Sequence, residues 1–433
     1  MSKVFLLLFI VLSVFFLTRY MIIGQAVYGD GLNYWSYTHS LYFDQDLDIS
    51  NQLQHYFSPL SNNTSELPFD SNSETYIEYR YPPFASLLWL PVFAFADIFV
   101  LITQPFFHLQ RNGFSDVYQI SVSLFNISLI TLGLYLLCQT LGLFYKNRVI
   151  FFSLVLLLFS TNLFYYGSLD VLNSHPTSFF LSSLFVSYFV KHFQNPKVKL
   201  VLILGFLSGL LAATRTQDIL FLPLSASIIF VKDKFSIRNY VKYLRILFIV
   251  FFGFLIGFLP QILHWIIVYG TLIKNAYASS PGSFNLMHPR LLELLFFQKT
   301  GIIYYSPLIL VSFIGLIDFL RRFKIIGTLF ILFVLTEYFL IASWGAWHQG
   351  ESYGVRMMIS SYPVLAFGLA SVIEILCRIF KLKYILLLSI FFIIFNFFMI
   401  LYFQLVTQEP TYISGQKTTS DEDVKKFIRN LAF

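Results

Sequence analysis

The sequence predicts an all-α polytopic membrane protein, and three observations carry that prediction. Of the 433 residues, 57% are hydrophobic and only 12% charged, about half the charged share of a soluble domain. Several apolar runs exceed the roughly 18 residues that mark a transmembrane helix. The basic residues gather between these runs, so the net charge of +7 reads as a topology signal and no nucleic-acid partner is expected. Cys138 and Cys377 lie in or beside apolar helices and offer neither a disulfide framework nor metal-ligand spacing.

The first element follows Lys3. "VFLLLFIVLSVFFL" has the form of a signal peptide, and Gly24-Gln25-Ala26 offers small residues for cleavage. Apolar character resumes after Arg19 as "YMIIG", however, which makes the run long enough to cross, and an uncleaved first helix is expected. Charge places the rest. Lys146 and Arg148; Lys191, Lys197 and Lys199; Lys232, Lys234, Arg238, Lys242 and Arg245; Arg321, Arg322 and Lys324; and Arg378, Lys381 and Lys383 form five groups. Putting all five in the cytoplasm with Lys3 requires that segment 84–103 not cross. Its neighbouring and internal prolines at 82, 83, 91 and 105, and its Asp97, suit an interfacial or re-entrant course. Eleven helices result, at about 4–27, 117–143, 149–167, 176–191, 199–214, 218–231, 245–269, 301–320, 325–343, 357–377 and 384–406. The fifth and sixth form a tight outer hairpin around "TRTQD". Segments 28–116, 168–175, 271–300, 344–356 and the tail from 407 then share the outer face. The domain reading is a transmembrane unit over 1–406 and an outer tail over 407–433. In that tail Ser420 and Asp423 fit a capping box before Val424, Phe427, Ile428 and Leu431 at helical spacing, which predicts a short amphipathic helix.

The chemistry-bearing residues fall on that same face. Asp30 follows the first helix directly, flanked by Gly29 and Gly31, which let the chain turn and a substrate approach. A partly desolvated carboxylate at the hydrocarbon boundary suits a general base; the ordinary alternative is a solvated loop acid. Asp44, Asp46 and Asp48 alternate in "DQDLD", as oxygen ligands of a divalent cation can, but the glycine and terminal Glu of a calcium loop are missing. Arg80 stands before Pro82-Pro83, where a guanidinium can hold a lipid phosphate or merely snorkel to headgroups. Further cations are Arg215 in "TRTQD", His175 before a proline, and His288, Arg290 and Lys299 in the 271–300 segment. "SWGAWHQGESYGVRMMISS" adds Trp344, Trp347, His348, Glu351 and Arg356. Aromatics at a boundary are commonly belt anchors; their faces also stack on sugars.

Taken together, "YGDGLNYW…DLDISN", "YRYPP", "TRTQD", "GIIYYSPLILVSFIGL" and "WHQGESYGVRMMISSYPVLAFGLA" resemble bacterial membrane glycosyltransferases of the C superfold (GT-C), in the branch of protein O-mannosyltransferases and lipid A aminoarabinose transferases. The resemblance spans most of residues 1–375. It implies a GT-C-like bundle of about eleven helices with juxtamembrane loop helices on the outer face of a bacterial cytoplasmic membrane, the N-terminus inside. It further implies inverting transfer of a sugar from a polyprenyl-phosphate donor to a glycan, lipid or protein acceptor. Asp30 matches the family's acceptor-activating Asp, and Arg80 the basic residue at the carrier phosphate. Arg215, Arg356, Lys299 and His175 are then expected at the donor phosphate, and Tyr34, Trp344, Trp347, His348 and Glu351 at the sugar and acceptor. Many relatives carry Asp-Glu at the first motif, whereas Gly31 follows Asp30 here, so a metal held by an adjacent acid pair is not implied. A lipid-linked oligosaccharide ligase or flippase remains a competing reading. So does a secondary transporter, for which Glu337 and Glu374 are the acids inside helices.

Overall fold

The computed structural model describes residues 2–57, 81–193, 197–230, 240–275, 283–350, 352–407, 412–413 and 416–417. These residues are helical wherever they are regular, apart from a two-residue strand pair, Tyr412–Ile413 with Gln416–Lys417. The first helices in order are α1 (Ser2–Ile23), α2 (Gly31–His39), α3 (Ser50–Phe57), α4 (Phe84–Phe107), α5 (Asp116–Leu141), α6 (Asn147–Phe159), α7 (His175–His192) and α8 (Val198–Thr214). They are followed by α9 (Phe221–Ala226), α10 (Tyr240–Tyr269), α11 (Leu291–Phe296), α12 (Ile302–Tyr305), α13 (Leu308–Arg322), α14 (Lys324–Ser343), α15 (Tyr362–Ile379) and α16 (Leu382–Tyr402). Seven stretches among the described residues are long and apolar enough to cross a membrane: α1, α4, α5, α10, α14, residues 356–379 including α15, and 382–405 including α16. Large apolar side chains such as Phe95, Phe248 and Phe391 stand exposed on them, as a lipid-facing surface requires. The chain has the build of an integral multi-pass membrane protein.

Three expected helices are not continuous, and the simplest case is 301–320, which divides at Ser306-Pro307 into α12 and α13. Segment 149–167 stops at Phe159 and resumes as a π-turn at Tyr165–Leu169. Ser160-Thr161-Asn162 causes the break: Thr161 Oγ1 donates to Leu157 O at 2.6 Å and accepts from Leu163 N, so side chains replace the helical ladder. The carbonyls released at Phe159 and Thr161 both accept from Asn396 Nδ2 of α16, at 3.0 and 3.1 Å. Segment 218–231 is likewise no single span but a 3₁₀ turn over Thr216–Leu220, the short α9, and a second 3₁₀ turn over Ser227–Phe230. Pro223 has no N–H to bond back to Ile219, and Ser208 of α8 reaches across to Phe221 O at 3.1 Å.

Segment 84–103 lies in one 24-residue helix, α4, despite Pro91 and Pro105. Trp89 Nε1 donates to Asn126 Oδ1 at 2.9 Å and Tyr118 donates to Asp97 at 2.7 Å, so α4 runs antiparallel to α5. That register puts Phe84 opposite Thr131, midway along α5, and carries the last turns of α4 past Asp116. Although long enough to span, α4 accompanies only the first half of its neighbour. Asp97 is fully buried there, and Tyr42, Tyr118 and Arg111 all donate to it. A satisfied carboxylate of this kind does not by itself mark an interface.

Close helix packing joins α8 and α10 in parallel. Gly205 and Gly209 on one face Gly253 and Gly257 on the other, and a Cβ at any of the four would come within 2.1–2.4 Å of a partner carbonyl oxygen. Each pair is spaced as small-xxx-small, the pattern that lets membrane helices approach backbone to backbone. At one end of the bundle Arg322 binds Asp318, Glu374 and Ser371, while Arg378 binds Glu374 at 3.0 Å. Tyr145 joins Ser371 at 2.8 Å, and Lys191 meets Gln139 at 3.5 Å. Most of the basic groups therefore collect at this end, as expected from the charge pattern. Asp30 lies at the other.

Candidate active-site cavity at the Asp30 end

A cavity of about 300 Å³ is walled by Asp30, Tyr34, Tyr81, Pro82, Ser174, Arg215, Gln349 and Arg356, among others. Asp30 opens α2. Gly29, at φ +55°, supplies the left-handed turn before it. Gly31 serves a different purpose from the expected one: a Cβ there would strike Leu172 O at 2.1 Å, so its space belongs to the 170–174 turn and not to a ligand. The same clash explains why no acidic side chain can follow Asp30 in this chain. The Asp30 side chain makes no helix cap. Oδ2 instead pairs with Arg356 Nη2 at 2.8 Å, and Oδ1 accepts from the Tyr81 hydroxyl at 3.1 Å. Burial and the facing carboxylate push the Tyr81 hydroxyl well above its ordinary pKa, which keeps it a donor. Pro82 and Pro83 set the bend that presents Tyr81 before α4 begins.

Arg215 caps α8 in extended backbone. Its Nη1 contacts both ring nitrogens of His175, at 3.1 Å for Nε2. An imidazole that accepts from a guanidinium has to be neutral, so His175 acts as a prop behind the wall. The turn leading to it is built by Asn173, whose Oδ1 accepts from His175 N at 2.8 Å, with Pro176 in the first helical turn. Trp344 enters the wall because its strand-like backbone bridges Phe284; Asn285 N donates to Ser343 O and Gly345 N to Ser283 O, both at 2.7 Å.

The structure therefore gathers Asp30, Tyr34, Arg215, Trp344 and Arg356 at one cavity, with His175 against Arg215. Lys299 and His348 are exposed outside the wall, and Trp347 packs edge-on against Phe297 at 5.1 Å. Arg80 and Glu351 lie outside the described residues, as does the tail helix expected at 420–431. The three alternating aspartates do not converge. Asp46 accepts from Ser40 Oγ at 2.6 Å and from Asp48 N, Asp48 accepts from Ser50 N at 3.0 Å, and Asp44 accepts from Asn51 and Gln52. They shape the turn into α3, and among the described residues no group of three or more His, Cys, Asp or Glu is placed to hold a metal ion.

Two acids, Asp170 and Asp218, and one amide escaped the sequence reading, while Glu337 was expected only as an intrahelical acid of the transporter alternative. Asp170, in the turn between α6 and α7, is sensed by Arg19, Arg356 and Asp30, and burial pushes its carboxyl up to about 6. Asp218 and Glu337 lie just beneath the cavity floor, 1% and 2% exposed. Ser178 donates to the first at 2.6 Å and Ser360 to the second at 2.7 Å. Gln349 is the amide. No pattern in the chain distinguishes Asp170, Asp218 and Gln349 from solvated loop residues.

Asp170 supplies a test of this electrostatic layout. A carboxyl raised to about 6 holds its proton more tightly folded than unfolded, so the stability it contributes is complete at about pH 4 and declines as pH rises through 6. Relative to Asp170→Asn, which cannot titrate, the wild type is expected to lose up to about 3 kcal/mol between pH 4 and 7. Thermal unfolding of both proteins across that range reads the difference, and parallel curves would mean that the fold does not raise the Asp170 carboxyl.

No protein-family model, curated protein or solved structure matches the chain.

Proposed function

We propose that the protein is an inverting glycosyltransferase. It moves a sugar from a polyprenyl-phosphate donor to an acceptor on the outer face of a bacterial cytoplasmic membrane, within a GT-C-like bundle of about eleven spans. The observation that carries this reading is the meeting of one carboxylate and two arginines, Asp30, Arg356 and Arg215, in a single cavity at the end of the bundle away from the basic clusters. Asp30, held by Arg356 and Tyr81, is the group that takes the proton of the acceptor hydroxyl as the new glycosidic bond forms. The bond from the sugar carbon to the donor phosphate breaks, and the arginines offset the charge growing on that phosphate. One turn along α14 from Leu340 of the cavity wall, an apolar groove of about 190 Å³ lies between Leu220, Pro223 and Leu224 on one side and Leu329, Leu332, Phe333 and Thr336 of α14 on the other. A prenyl tail suits such a groove by its chemistry.

The test is direct. Purified protein given a labelled polyprenyl-phosphate sugar and a crude envelope acceptor fraction should transfer label and release polyprenyl phosphate. Label that stays on the lipid with every acceptor fraction tried overturns the reading.

One observation favours a second reading, a cation-coupled transporter. Asp218 and Glu337 are carboxylates inside the bundle, and Asp218 Oδ1 and Glu337 Oε2 have no hydrogen-bond partner among the described residues. Intramembrane acids of this kind mark ion and proton paths in transporters. Cation-driven uptake by proteoliposomes would support it.

A further inference from the structure

Gln349 has a side chain arranged for a ligand. It sits in the left-handed region at φ +58°, uncommon for a residue with a Cβ, and it is 3% exposed. The fold uses only half of its amide. Met357 N donates to Gln349 Oε1 at 3.1 Å. Because a backbone N–H needs an acceptor, that bond fixes which end of the amide is oxygen. The NH₂ must then point the other way. It borders the cavity, and it has no partner among the described residues. A buried donor left unmade costs about 1–3 kcal/mol, so the left-handed turn and the orphaned NH₂ burden the same residue.

A second donor in the cavity is in the same position. Arg215 spends Nη1 on His175, while its buried Nε has no partner among the described residues. The two residues are yoked through one residue's backbone: Gln217, two residues after Arg215, donates to Met357 O at 2.6 Å, and Met357 N donates to Gln349. Arg356, by contrast, is already engaged by Asp30. The cavity thus has an occupied cation on the Asp30 side and two unused donors on the Met357 side. A neutral amide and a guanidinium that line one cavity and each keep an unpartnered N–H suit oxygen atoms that share negative charge, as those of a phosphate do.

Resting on the glycosyltransferase reading above, we propose that Gln349 Nε2 and Arg215 Nε form the oxyanion subsite that holds the phosphate of the lipid donor, which separates it within the cavity from the proton-accepting side at Asp30.

Gln349→Glu tests this with little else disturbed. It keeps the oxygen that Met357 N needs and replaces the outward NH₂ with a carboxylate oxygen that repels phosphate. Binding to the full-length protein in detergent is measured with farnesyl phosphate, farnesol and inorganic phosphate as probes. The wild type should bind farnesyl phosphate well below the concentrations at which farnesol or inorganic phosphate binds. Gln349→Glu should lose tenfold or more, on the order of one charge-assisted hydrogen bond, with its unfolding temperature unchanged. If that variant does not fold, Gln349→Met, which removes donor and acceptor without adding charge, should still lose about fivefold. Wild-type affinity in the variant that folds overturns the role of Gln349 and leaves the lipid-phosphate reading standing. Failure of the wild type to bind farnesyl phosphate overturns both. Inorganic phosphate binding as tightly as farnesyl phosphate assigns the subsite to a free anion and overturns the lipid source.

Discussion

Asp30→Asn is expected to slow sugar transfer by about 10²–10⁴, the usual cost of losing a general base, while the protein remains folded. Asparagine keeps the oxygen that accepts from Tyr81 but can neither take a proton nor neutralise Arg356 at 2.8 Å. The second loss carries its own consequence: a guanidinium freed from Asp30 can compete for the donor phosphate, so donor affinity should stay level or rise while turnover falls. Single-turnover rates and farnesyl phosphate binding, measured on the same preparation, separate the two effects. Asp44→Asn and Asp48→Asn, whose carboxylates shape the turn into α3, should leave the transfer rate within about twofold of wild type, far from the loss of a base. A wild-type rate from Asp30→Asn would sink the base assignment and shift the balance toward the transporter reading. Equal losses at all three aspartates would make the 30–50 segment a structural unit.

The largest expected effect on stability lies far from that chemistry. Gly257→Val should destabilise the protein by about 3 kcal/mol or more, the upper range for overpacking a filled interface. A Cβ at 257 would stand 2.1 Å from Phe206 O and 2.9 Å from Leu210 N, both backbone atoms that no rotamer change can move aside. The α8–α10 pair has to separate to admit it. Since α8 ends at Arg215, the displacement should also reach the cavity as weakened farnesyl phosphate binding. Phe248→Val on the exposed face of α10 is the control and should stay within about 0.5 kcal/mol of wild type, as surface substitutions do. An unfolding temperature for Gly257→Val equal to that of the control would mean that the two helices are not held by close backbone approach.

What could be read from the chain follows the physics of each signal. Apolar length and the distribution of Lys and Arg are properties of whole segments, so the membrane-spanning build and the shared basic end were visible. Asp30, Arg215 and Arg356 were visible because each is a charge at the edge of an apolar run, a costly place for a charge without a purpose. Helix continuity was less legible. The breaks at Ser160-Thr161-Asn162 and around Pro223 depend on what Asn396 and Ser208 offer from other helices, and hydropathy is blind to such partners. The glycine pairs 205/209 and 253/257 carried a readable spacing that the charge argument passed over. Gln349 was hidden for another reason: a polar residue beside Gly350 reads as solvated loop, and only the bond from Met357 N turns its side chain inward. Lys299 and His348 show the converse, a cation on an expected segment that is exposed and stands outside the wall.

The suture of α6 by Asn396 bears on how the chain can be made. Phe159 is separated by 237 residues from the side chain that accepts responsibility for its carbonyl. At about 5–20 residues per second of synthesis, roughly ten to fifty seconds pass between the two. Throughout that interval the Phe159 carbonyl is without its Asn396 partner, and hydrocarbon offers it none. This junction is therefore completed only when α16 arrives, and a ribosome stalled before Asn396 leaves a nascent chain whose α6 is still unstitched.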